Sequence, residues 1–423
     1  MKFETSLQFA KKLDRQDPLR SFPSKFHLPR IKGKTAIYFA GNSLGLLPKT
    51  TKKFVEEELN DWARLGVEGH FHAKRPWLHY HKFSKRALSR LVGAKTTEVV
   101  AMNQLTVNLH LMMVSFYRPT KTRFKILTEA GAFSSDQYAF ESQVKFHGLD
   151  PEKAIIELSP RQGEYVLRTE DILSAIDENK NELALVILGA VQYYTGQFFD
   201  VEKITKAGNA AGACVGFDLA HAIGNVPMQL HKHEVDFAVW CGYKYLNAGP
   251  GGMAGAFVHE KHAKNFDLPR LAGWWGHHDQ ERFQMKKGFK PMEGVDGWQV
   301  SNFPVLSGAA QLASLEVFDE AGISNLRKKS FLLTGYLEFL LKSIENHHEY
   351  FSLITPPNKN ERGCQLSLLM KKNGKQLFNK ITKAGVIADW REPDVIRVAP
   401  VPLYNTFEEV FYFFTIFQNA IVK

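Results

Sequence analysis

Cysteine is scarce in this chain of 423 residues, which contains only Cys214, Cys241 and Cys364. All three fall in segments that indicate buried strands, and they form neither a disulfide framework nor the spacing of a metal site. The charged N-terminal segment has no apolar centre, so it does not resemble a signal peptide. We therefore expect a reducing, cytoplasmic setting.

The sequence also lacks an apolar run of membrane-spanning length, so we expect no membrane partner. Its C-terminal segment is apolar, but it is short and carries Glu408 and Glu409, which predicts a helix that faces a core. We find no internal repeat and no low-complexity tract. A hydrophobic content of 44% and a charged content of 23% are typical of a globular protein with room for one large and one smaller domain.

Acidic residues are fewer than basic ones, with 44 Asp and Glu against 54 Lys and Arg. A basic surface can bind nucleic acid, but here the basic residues are scattered and no nucleic-acid motif accompanies them. The excess of positive charge is sufficiently explained if it attracts an anionic cofactor and substrate. A nucleic-acid-binding protein remains the alternative from a different class. Cofactor absorbance in the purified protein would separate the two hypotheses.

The sequence does contain a regular alternation of short apolar runs with segments of helical periodicity. This alternation predicts an α/β fold with an open, mostly parallel sheet and helices on both faces. Beyond a long helical region at about 305–345 the order changes, which predicts a smaller C-terminal α+β domain. We divide the chain into an N-terminal arm with a solvated basic face (1–36), a large domain (37–320) and a small domain (321–423). The runs predicted as strands of the large sheet are 123–128, 153–158, 183–188, 214–218, 235–241 and 254–259.

Two of these runs deliver chemically informative residues to their carboxyl ends. One ends at Asp218, and the next leads to Tyr243 and Lys244 in a glycine-rich turn. A pyridoxal phosphate site needs a lysine that carries the cofactor and a carboxylate that keeps the pyridine nitrogen protonated. Alone, either residue is better explained as a surface lysine or a helix cap. The combination, with an apolar strand before each, favours the site. His221 lies one turn after Asp218 and is either a further site residue or a structural histidine.

Three segments, FDLAHAIGN, WCGYKYLNAGPGGMAGAF and GNSLGL, resemble the kynureninase family, which are fold-type-I pyridoxal phosphate enzymes of the aspartate aminotransferase-like superfamily. The resemblance runs from about Tyr38 to Tyr404. It implies a fold-type-I transferase fold and the hydrolysis of L-kynurenine or 3-hydroxy-L-kynurenine to anthranilate or 3-hydroxyanthranilate plus L-alanine. It further implies a role in tryptophan degradation and NAD biosynthesis, and a homodimer with a composite active site.

The resemblance also implies which residues bind the cofactor. Leu105 and Thr106 match phosphate-binding positions at a helix start, where free amides hold anions, although a plain cap explains Thr106 from sequence alone. Phe133 matches a ring that stacks on the pyridine, while Ser134 replaces a proline common in the family. At Gly189 some relatives have a hydroxyl, so any contact there must come from backbone. The full implied set is Leu105, Thr106, Phe133, Ser134, Ser135, Asp136, Asp218, His221, Tyr243, Lys244, Trp274 and Asn302.

The catalytic residues implied are Lys244, Tyr243 and Asp218, with Tyr243 as the leading proton carrier. Arg397 matches the arginine that clamps the substrate carboxylate bidentately. The substrate-binding set is completed by Ser43, His70 and Asn302. Trp274 and Asn302 lie in loops that the family directs toward a neighbouring subunit. Polar groups at His70 and Asn302 predict a preference for 3-hydroxykynurenine.

Alternatives within the superfamily are a class V aminotransferase and a cysteine desulfurase. A desulfurase needs a nucleophilic cysteine in an exposed loop, and none of the three cysteines is predicted there. The glycine-rich segment 249–255 leads into a strand, so it is not a dinucleotide fingerprint. The histidine pairs at 277–278 and 347–348 lack a third ligand at metal-site spacing, and we expect no metal.

Overall fold

The computed structural model describes residues 2–422. Helices and strands alternate through most of the chain, as the sequence predicts. The helices are α1 (Leu7–Gln16), α2 (Thr51–Leu65), α3 (Gly69–His72), α4 (Lys82–Val92), α5 (Leu105–Phe116), α6 (Ser134–Phe146), α7 (Pro151–Ala154), α8 (Thr169–Glu178), α9 (Val201–Ala210), α10 (Val305–Ala321), α11 (Ile323–Lys342), α12 (His347–Tyr350), α13 (Gly374–Lys383) and α14 (Phe407–Val422). The strands are β1 (Arg30–Ile31), β2 (Lys34–Thr35), β3 (Ile37–Tyr38), β4 (Val99–Ala101), β5 (Lys125–Glu129), β6 (Ile155–Leu158), β7 (Leu183–Gly189), β8 (Cys214–Asp218), β9 (Phe237–Trp240), β10 (Gly255–Val258), β11 (Phe351–Leu353), β12 (Leu366–Met370), β13 (Val386–Ile387), β14 (Asp389–Arg391) and β15 (Val395–Val398).

The central sheet has seven strands in the order β4-β10-β9-β8-β7-β5-β6. The pairs from β9 to β6 are parallel, which confirms the predicted mostly parallel sheet. Strand β10 is antiparallel to both of its neighbours. It follows β9 through the glycine-rich turn, and a parallel return would need a longer crossover. The edge strand β4 was not predicted, because three residues are too short a run to signal a strand.

Apolar side chains cover both faces of this sheet. Along β9, Ala238 and Trp240 belong to one core with helices α4, α8, α9 and α10, while Phe237 and Val239 belong to another with α5 and α6. Successive residues of a strand point to opposite faces, so the continuous apolar run is explained by burial on both sides. The predicted arrangement of helices on both faces is confirmed.

A second sheet, β11-β12-β15-β14, is antiparallel and packs with α1, α11, α13 and α14 around a third core. Phe413 and Phe417 of α14 are buried in it, so this helix faces a core as predicted. The long helical region is two helices, because Gly322 adopts a positive φ of 72° between α10 and α11.

The N-terminal segment is attached to this C-terminal region. Phe9 and Leu13 of α1 are buried in the third core, and the Asp14 carboxylate accepts from the backbone N–H groups of Phe407 and Glu408 at 2.8 and 2.9 Å. These bonds satisfy free donors at the start of α14. The boundaries at 36 and 320 stay a prediction.

The placement of two cysteines differs from the expectation. Only Cys214 lies within a strand, and it is partly buried, whereas Cys241 directly follows β9 and Cys364 precedes β12. Both of these are buried, so the apolar neighbours were recognised correctly but the strand ends were not. Between residues 2 and 422, no helix combines the length and the apolar character needed to cross a membrane.

Candidate active site

A cleft opens where the carboxyl ends of β5, β7 and β8 meet, which is where open α/β sheets bind ligands. Gly189 and Asp218 are register partners at the ends of β7 and β8. The cleft brings together most of the cofactor residues that the sequence predicted, from four separate segments of the chain. These are Leu105, Thr106, Phe133, Ser135, Asp136, Asp218, His221, Tyr243 and Lys244.

Lys244 is buried in this cleft, in the turn that follows β9. Its Nζ lies 3.0 Å from Nε2 of His221 and 5.4 Å from the centre of the Phe133 ring. Burial, followed by the charge of Lys244, holds the pKa of His221 well below its usual range. The imidazole is therefore neutral and accepts a hydrogen bond from Lys244 through Nε2, which leaves the proton on Nδ1. Among the described residues Nδ1 has no partner, although it is buried.

The GNSLG segment packs directly on the lysine turn. The Gly45 N–H donates to the carbonyl of Tyr243 at 2.8 Å. A Cβ at Gly45 would lie 2.3 Å from the carbonyl oxygen of Lys244, so only glycine permits this approach. The contact fixes the turn that carries Lys244. It also brings Ser43 to the neighbourhood of the cleft, although Ser43 does not line it.

Two carboxyl groups share the buried end of the cleft. Burial raises the pKa of Asp136 well above its usual range, and the neighbouring Asp218 raises it further. Burial also raises the pKa of Asp218, but hydrogen bonding to Asp136 and the charge of Lys244 oppose that rise. Burial thus makes both acids harder to ionise than a free aspartate, and Asp218, which the charge of Lys244 and the Ala220 N–H stabilise as an anion, is the one of the two that ionises first. One oxygen of Asp218 also accepts from the Ala220 N–H at 2.6 Å.

The first turns of α5 and α6 border the same cleft. Leu105 and Thr106 begin α5, and Ser135 lies in the first turn of α6, so backbone N–H groups of two helix starts are available to an anion. Ser134, the first residue of α6, is exposed and does not line the cleft. Burial raises the pKa of Tyr243, so its hydroxyl keeps its proton at neutral pH.

Several cleft residues were missed by sequence reasoning. Glu129 is the last residue of β5, and both of its carboxylate oxygens accept from the Gly189 N–H, at 3.1 and 3.3 Å. Tyr193 presents its ring between Phe133 and His221, at 5.3 and 6.5 Å between ring centres. An acid directly after a predicted strand was the available signal for Glu129. The missed residues are Glu129, Val191, Tyr193 and Ala220.

Arg397, on β15, contacts Tyr193, which lines the cleft. Its Nε and Nη2 donate to one oxygen of Asp389 at 2.9 and 2.7 Å, and Nη1 donates to the Tyr193 carbonyl at 2.7 Å. A guanidinium carries five N–H bonds, so two remain for a ligand, one on each terminal nitrogen. Arg397 is buried, and it lies behind Tyr193 rather than in the lining of the cleft.

Three further predicted residues do not reach the cleft of their own chain. Trp274 is 42% exposed, and its Nε1 donates to the Arg282 carbonyl at 3.2 Å. Asn302 is exposed in the loop before α10. His70 lies on α3 with its ring 5.5 Å from Trp77. The structure therefore leaves Trp274, Asn302 and His70 outside the cofactor cleft.

One group of possible metal ligands, Glu98, His231 and His259, was not predicted. Its members are already bonded to protein: Glu98 is 2.9 Å from Nδ1 of His231, and His259 uses one ring nitrogen on the His231 carbonyl and the other on the Lys261 N–H. The group is a polar network that ties the start of β4 to the end of β10.

The thiols do not suit nucleophilic chemistry. Burial raises the pKa of Cys241 to about 11 and the pKa values of Cys214 and Cys364 to about 12. A thiolate is the reactive form of cysteine, so none of the three is activated.

The residues that converge in the cleft fit pyridoxal phosphate: a buried lysine, an anionic aspartate at a strand end, an aromatic ring beside the lysine and a buried imidazole nitrogen without a protein partner.

Two family models together match most of the chain. The class V aminotransferase model matches residues 37–364, and the kynureninase C-terminal domain model matches residues 326–417. Among solved structures, a cysteine desulfurase from Thermococcus onnurineus superposes with a TM-score of 0.76 over 92% of this chain and 95% of its own, at 18% identity. A cysteine desulfurase from Escherichia coli gives 0.77 over 96% and 98%, at 15% identity. At such identities the likeness shows the fold alone. Together with the class V aminotransferase model, it defines the class of the protein as a fold-type-I pyridoxal phosphate enzyme.

Relatives that match over nearly the whole chain identify the family within this class of enzymes. A kynureninase from Flavobacterium psychrophilum is 54% identical over 100% of both chains, and one from Myxococcus xanthus is 57% identical over 97% of this chain and 96% of its own. One from Nematostella vectensis is 49% identical over 98% and 94%. The chain belongs to the kynureninase family, and its cofactor is pyridoxal phosphate.

Proposed function

We propose that this chain is a kynureninase that hydrolyses the bond between the β-carbon and the γ-carbonyl carbon of L-kynurenine or 3-hydroxy-L-kynurenine. The products are anthranilate or 3-hydroxyanthranilate, and L-alanine. Beyond family membership, one observation carries the proposal: Lys244 is buried, 3.0 Å from a neutral His221, in the cleft that contains the Asp218 anion. A surface lysine would have no such surroundings.

Pyridoxal phosphate, when bound, supplies an electron-accepting ring for charge that develops at the substrate α-carbon. Asp218 would hold the proton on the pyridine nitrogen, with Asp136 bonded behind it. Phe133 would stack on the ring, and the first turns of α5 and α6, including Thr106, would hold the phosphate. Leu105, Ser135 and the neighbouring Ser134 contribute backbone at these two helix starts.

Lys244 would carry the cofactor and, once released by the substrate amine, move the α-proton at Nζ. His221 supports this role because it offers Nε2 as an acceptor and keeps Nζ inside the cleft. Tyr243 is the proposed proton carrier for the later steps, since its hydroxyl stays protonated and it lines the cleft beside Lys244.

Arg397 would bind the substrate carboxylate. Its Asp389 and Tyr193 contacts fix the guanidinium plane, and the two remaining N–H bonds offer the bidentate geometry that a carboxylate requires. Ser43, held near the lysine turn by Gly45, is the proposed neighbour of the bound substrate.

A homodimer would complete the site. Trp274 and Asn302 lie outside the cleft of their own chain, so their proposed cofactor and substrate contacts require a second copy. Exposed apolar side chains support such an interface: Trp62 of α2, Phe71 of α3, and Phe283 and Met285 in the loop that follows Trp274 are all more than half exposed. Where such side chains adjoin one another, they form the kind of apolar patch that a protein interface covers.

The substrate ring hydroxyl is assigned to His70 and Asn302. Nδ1 of His70 lies 3.0 Å from the Val67 carbonyl, which leaves Nε2 for a ligand. Unmet polar groups cost about 1–3 kcal/mol, so we propose a preference for 3-hydroxykynurenine. The corresponding cellular role that we propose is in tryptophan degradation and NAD biosynthesis, in the cytoplasm.

Product analysis tests the function. The purified protein with pyridoxal phosphate is incubated separately with L-kynurenine, 3-hydroxy-L-kynurenine and L-cysteine, and the products are separated and quantified. We expect the matching anthranilate and L-alanine in equal amounts from either kynurenine, and no sulfide from cysteine. Sulfide release without anthranilate would contradict the proposal and favour a desulfurase.

A further inference from the structure

Glu129 is a buried acid in the cofactor cleft to which the mechanism assigns no role. It is the last residue of β5, its side chain is 4% exposed, and it lines the cleft. Both carboxyl oxygens face the Gly189 N–H at the end of β7, and the Thr128 hydroxyl lies 3.4 Å from one of them.

The shape of the neighbouring strand accommodates this carboxyl group. A Cβ at Gly189 would lie 3.3 Å from Oε1 of Glu129, tighter than an ordinary contact. Glycine therefore leaves the space that the carboxyl group occupies, and its backbone supplies the bond. The cradle is built jointly by β5 and β7, next to the position where Asp218 ends β8.

The charged groups around Glu129 do not neutralise it. Its two neighbours Asp218 on β8 and Asp136 on α6 are themselves acids. The positive charge of Lys244 stabilises the Asp218 carboxylate, and His221 is neutral. Between residues 2 and 422 no basic side chain forms an ion pair with Glu129. Burial raises the pKa of Glu129 to about 8; the bond from the Gly189 N–H opposes this rise, and the weaker repulsion from Asp218 adds to it.

We propose that Glu129 is a positioning residue that works as a neutral acid: it holds the end of β7 through the Gly189 amide without placing a second negative charge beside Asp218. The inference rests on the cofactor assignment and is independent of which substrate is cleaved. A neutral acid keeps Asp218 as the single anion available to the pyridine nitrogen. Loss of the Glu129 proton adds charge to this buried group.

The first test is urea unfolding of the cofactor-free protein between pH 5 and pH 9. An acid whose pKa is raised in the folded state makes unfolding easier as pH rises from the unfolded value of 4.5 to about 8, with no further change above that. The ratio of the equilibrium constants for unfolding, unmodified protein over Glu129→Gln, should rise by up to about tenfold per pH unit in this window. Glu157→Gln, at the exposed position of the neighbouring strand β6, is the matched control and should follow the unmodified protein.

A second test uses the cofactor. Absorbance spectra of unmodified and Glu129→Gln holoenzyme should coincide at pH 6–7 and separate above about pH 8, because only the glutamate gains a charge. Spectra that differ already at pH 6–7, spectra that coincide throughout, or parallel unfolding curves would each overturn the proposal. If Glu129→Gln does not fold, carbon NMR of glutamate carboxyl groups, assigned by comparison with Glu129→Asp, should give a resonance that titrates near pH 8; its absence would be equally decisive.

Discussion

The cleft at the ends of β5, β7 and β8 and the segment from Trp274 to Asn302 differ in how complete they are within one chain. In the cleft, Lys244 already has its hydrogen-bond partner, and Asp218 already has its neighbouring acid. Trp274 and Asn302, by contrast, are exposed and contact nothing in the cleft. This difference is what the proposed homodimer predicts: one chain supplies the cleft around Lys244, and a second copy supplies the contacts proposed for Trp274 and Asn302.

The largest expected effect is at Lys244. Lys244→Ala should lose both the absorbance of covalently held cofactor and all detectable turnover, because no other lysine of residues 2–422 lines the cleft. Reduction of the loaded protein followed by peptide mapping checks the attachment directly. Lys264→Ala, an exposed lysine outside the site, is the control and should behave like the unmodified protein. Cofactor found on another lysine would contradict the assignment.

Asp218→Asn should have the next largest effect. The amide has no negative charge to retain the pyridine proton, so we expect weaker cofactor binding and a decrease in kcat of about 10²–10³-fold, the usual range for a lost electrostatic contact in an active site. Cofactor titration and steady-state kinetics measure the two effects, and the circular dichroism spectrum should show an unchanged fold. Near-normal turnover would mean that the acid has another role.

A smaller effect is expected on the Arg397 side of the cleft. Arg397→Lys removes bidentate binding, which should raise KM by about 10–100-fold, corresponding to about 1.5–3 kcal/mol for a charged hydrogen bond. Arg391→Lys is the matched control: Arg391 also lies near the Tyr193 ring, but it is only partly buried and on the neighbouring strand. Equal effects of the two substitutions would remove the reason to assign the carboxylate to Arg397.

The smallest effect concerns the ring hydroxyl. His70→Trp combined with Asn302→Thr should reduce the preference for 3-hydroxykynurenine over kynurenine by about tenfold, since the substitutions remove the polar groups proposed to read it. The ratio of the two kcat/KM values measures this, and it is insensitive to the amount of active enzyme. An unmodified enzyme without the preference would show that these side chains do not read the hydroxyl.

The same contrast explains what the sequence could predict. Asp218 and Lys244 follow apolar strands, and parallel strands bring their carboxyl ends to one edge, so local pattern alone placed both in the cleft. Glu129 was missed because its role depends on a hydrogen bond from Gly189 on the neighbouring strand. No local sequence pattern encodes which residues of two strands lie side by side. The contact of Arg397 with Tyr193 likewise joins residues far apart in sequence.

The direction of β10 was not predicted, and the cysteine positions were misjudged, for a related reason. An apolar run reveals burial but neither strand direction nor strand ends, which are decided by the connecting turn and by pairing with the neighbouring strands. The resemblance to kynureninases supplied what pattern could not, namely the roles expected for Trp274, Asn302 and His70. The roles proposed for Trp274 and Asn302 would require a second copy of the chain, which no local pattern encodes.

The measurement that tests the contrast most directly is complementation in hybrid dimers. Lys244→Ala is mixed with the double variant Trp274→Ala/Asn302→Ala under conditions that exchange subunits, and turnover is compared with that of each variant alone. If the cofactor cleft belongs to one chain and the Trp274–Asn302 segment to its partner, each hybrid has one intact site, and the mixture should recover roughly a quarter of the unmodified activity. Lys244→Ala mixed with Asp218→Asn, two cleft residues of the same chain, should recover none beyond the residual activity of the Asp218→Asn variant. No recovery in the first mixture despite proven exchange, or a fully active monomer, would contradict the account.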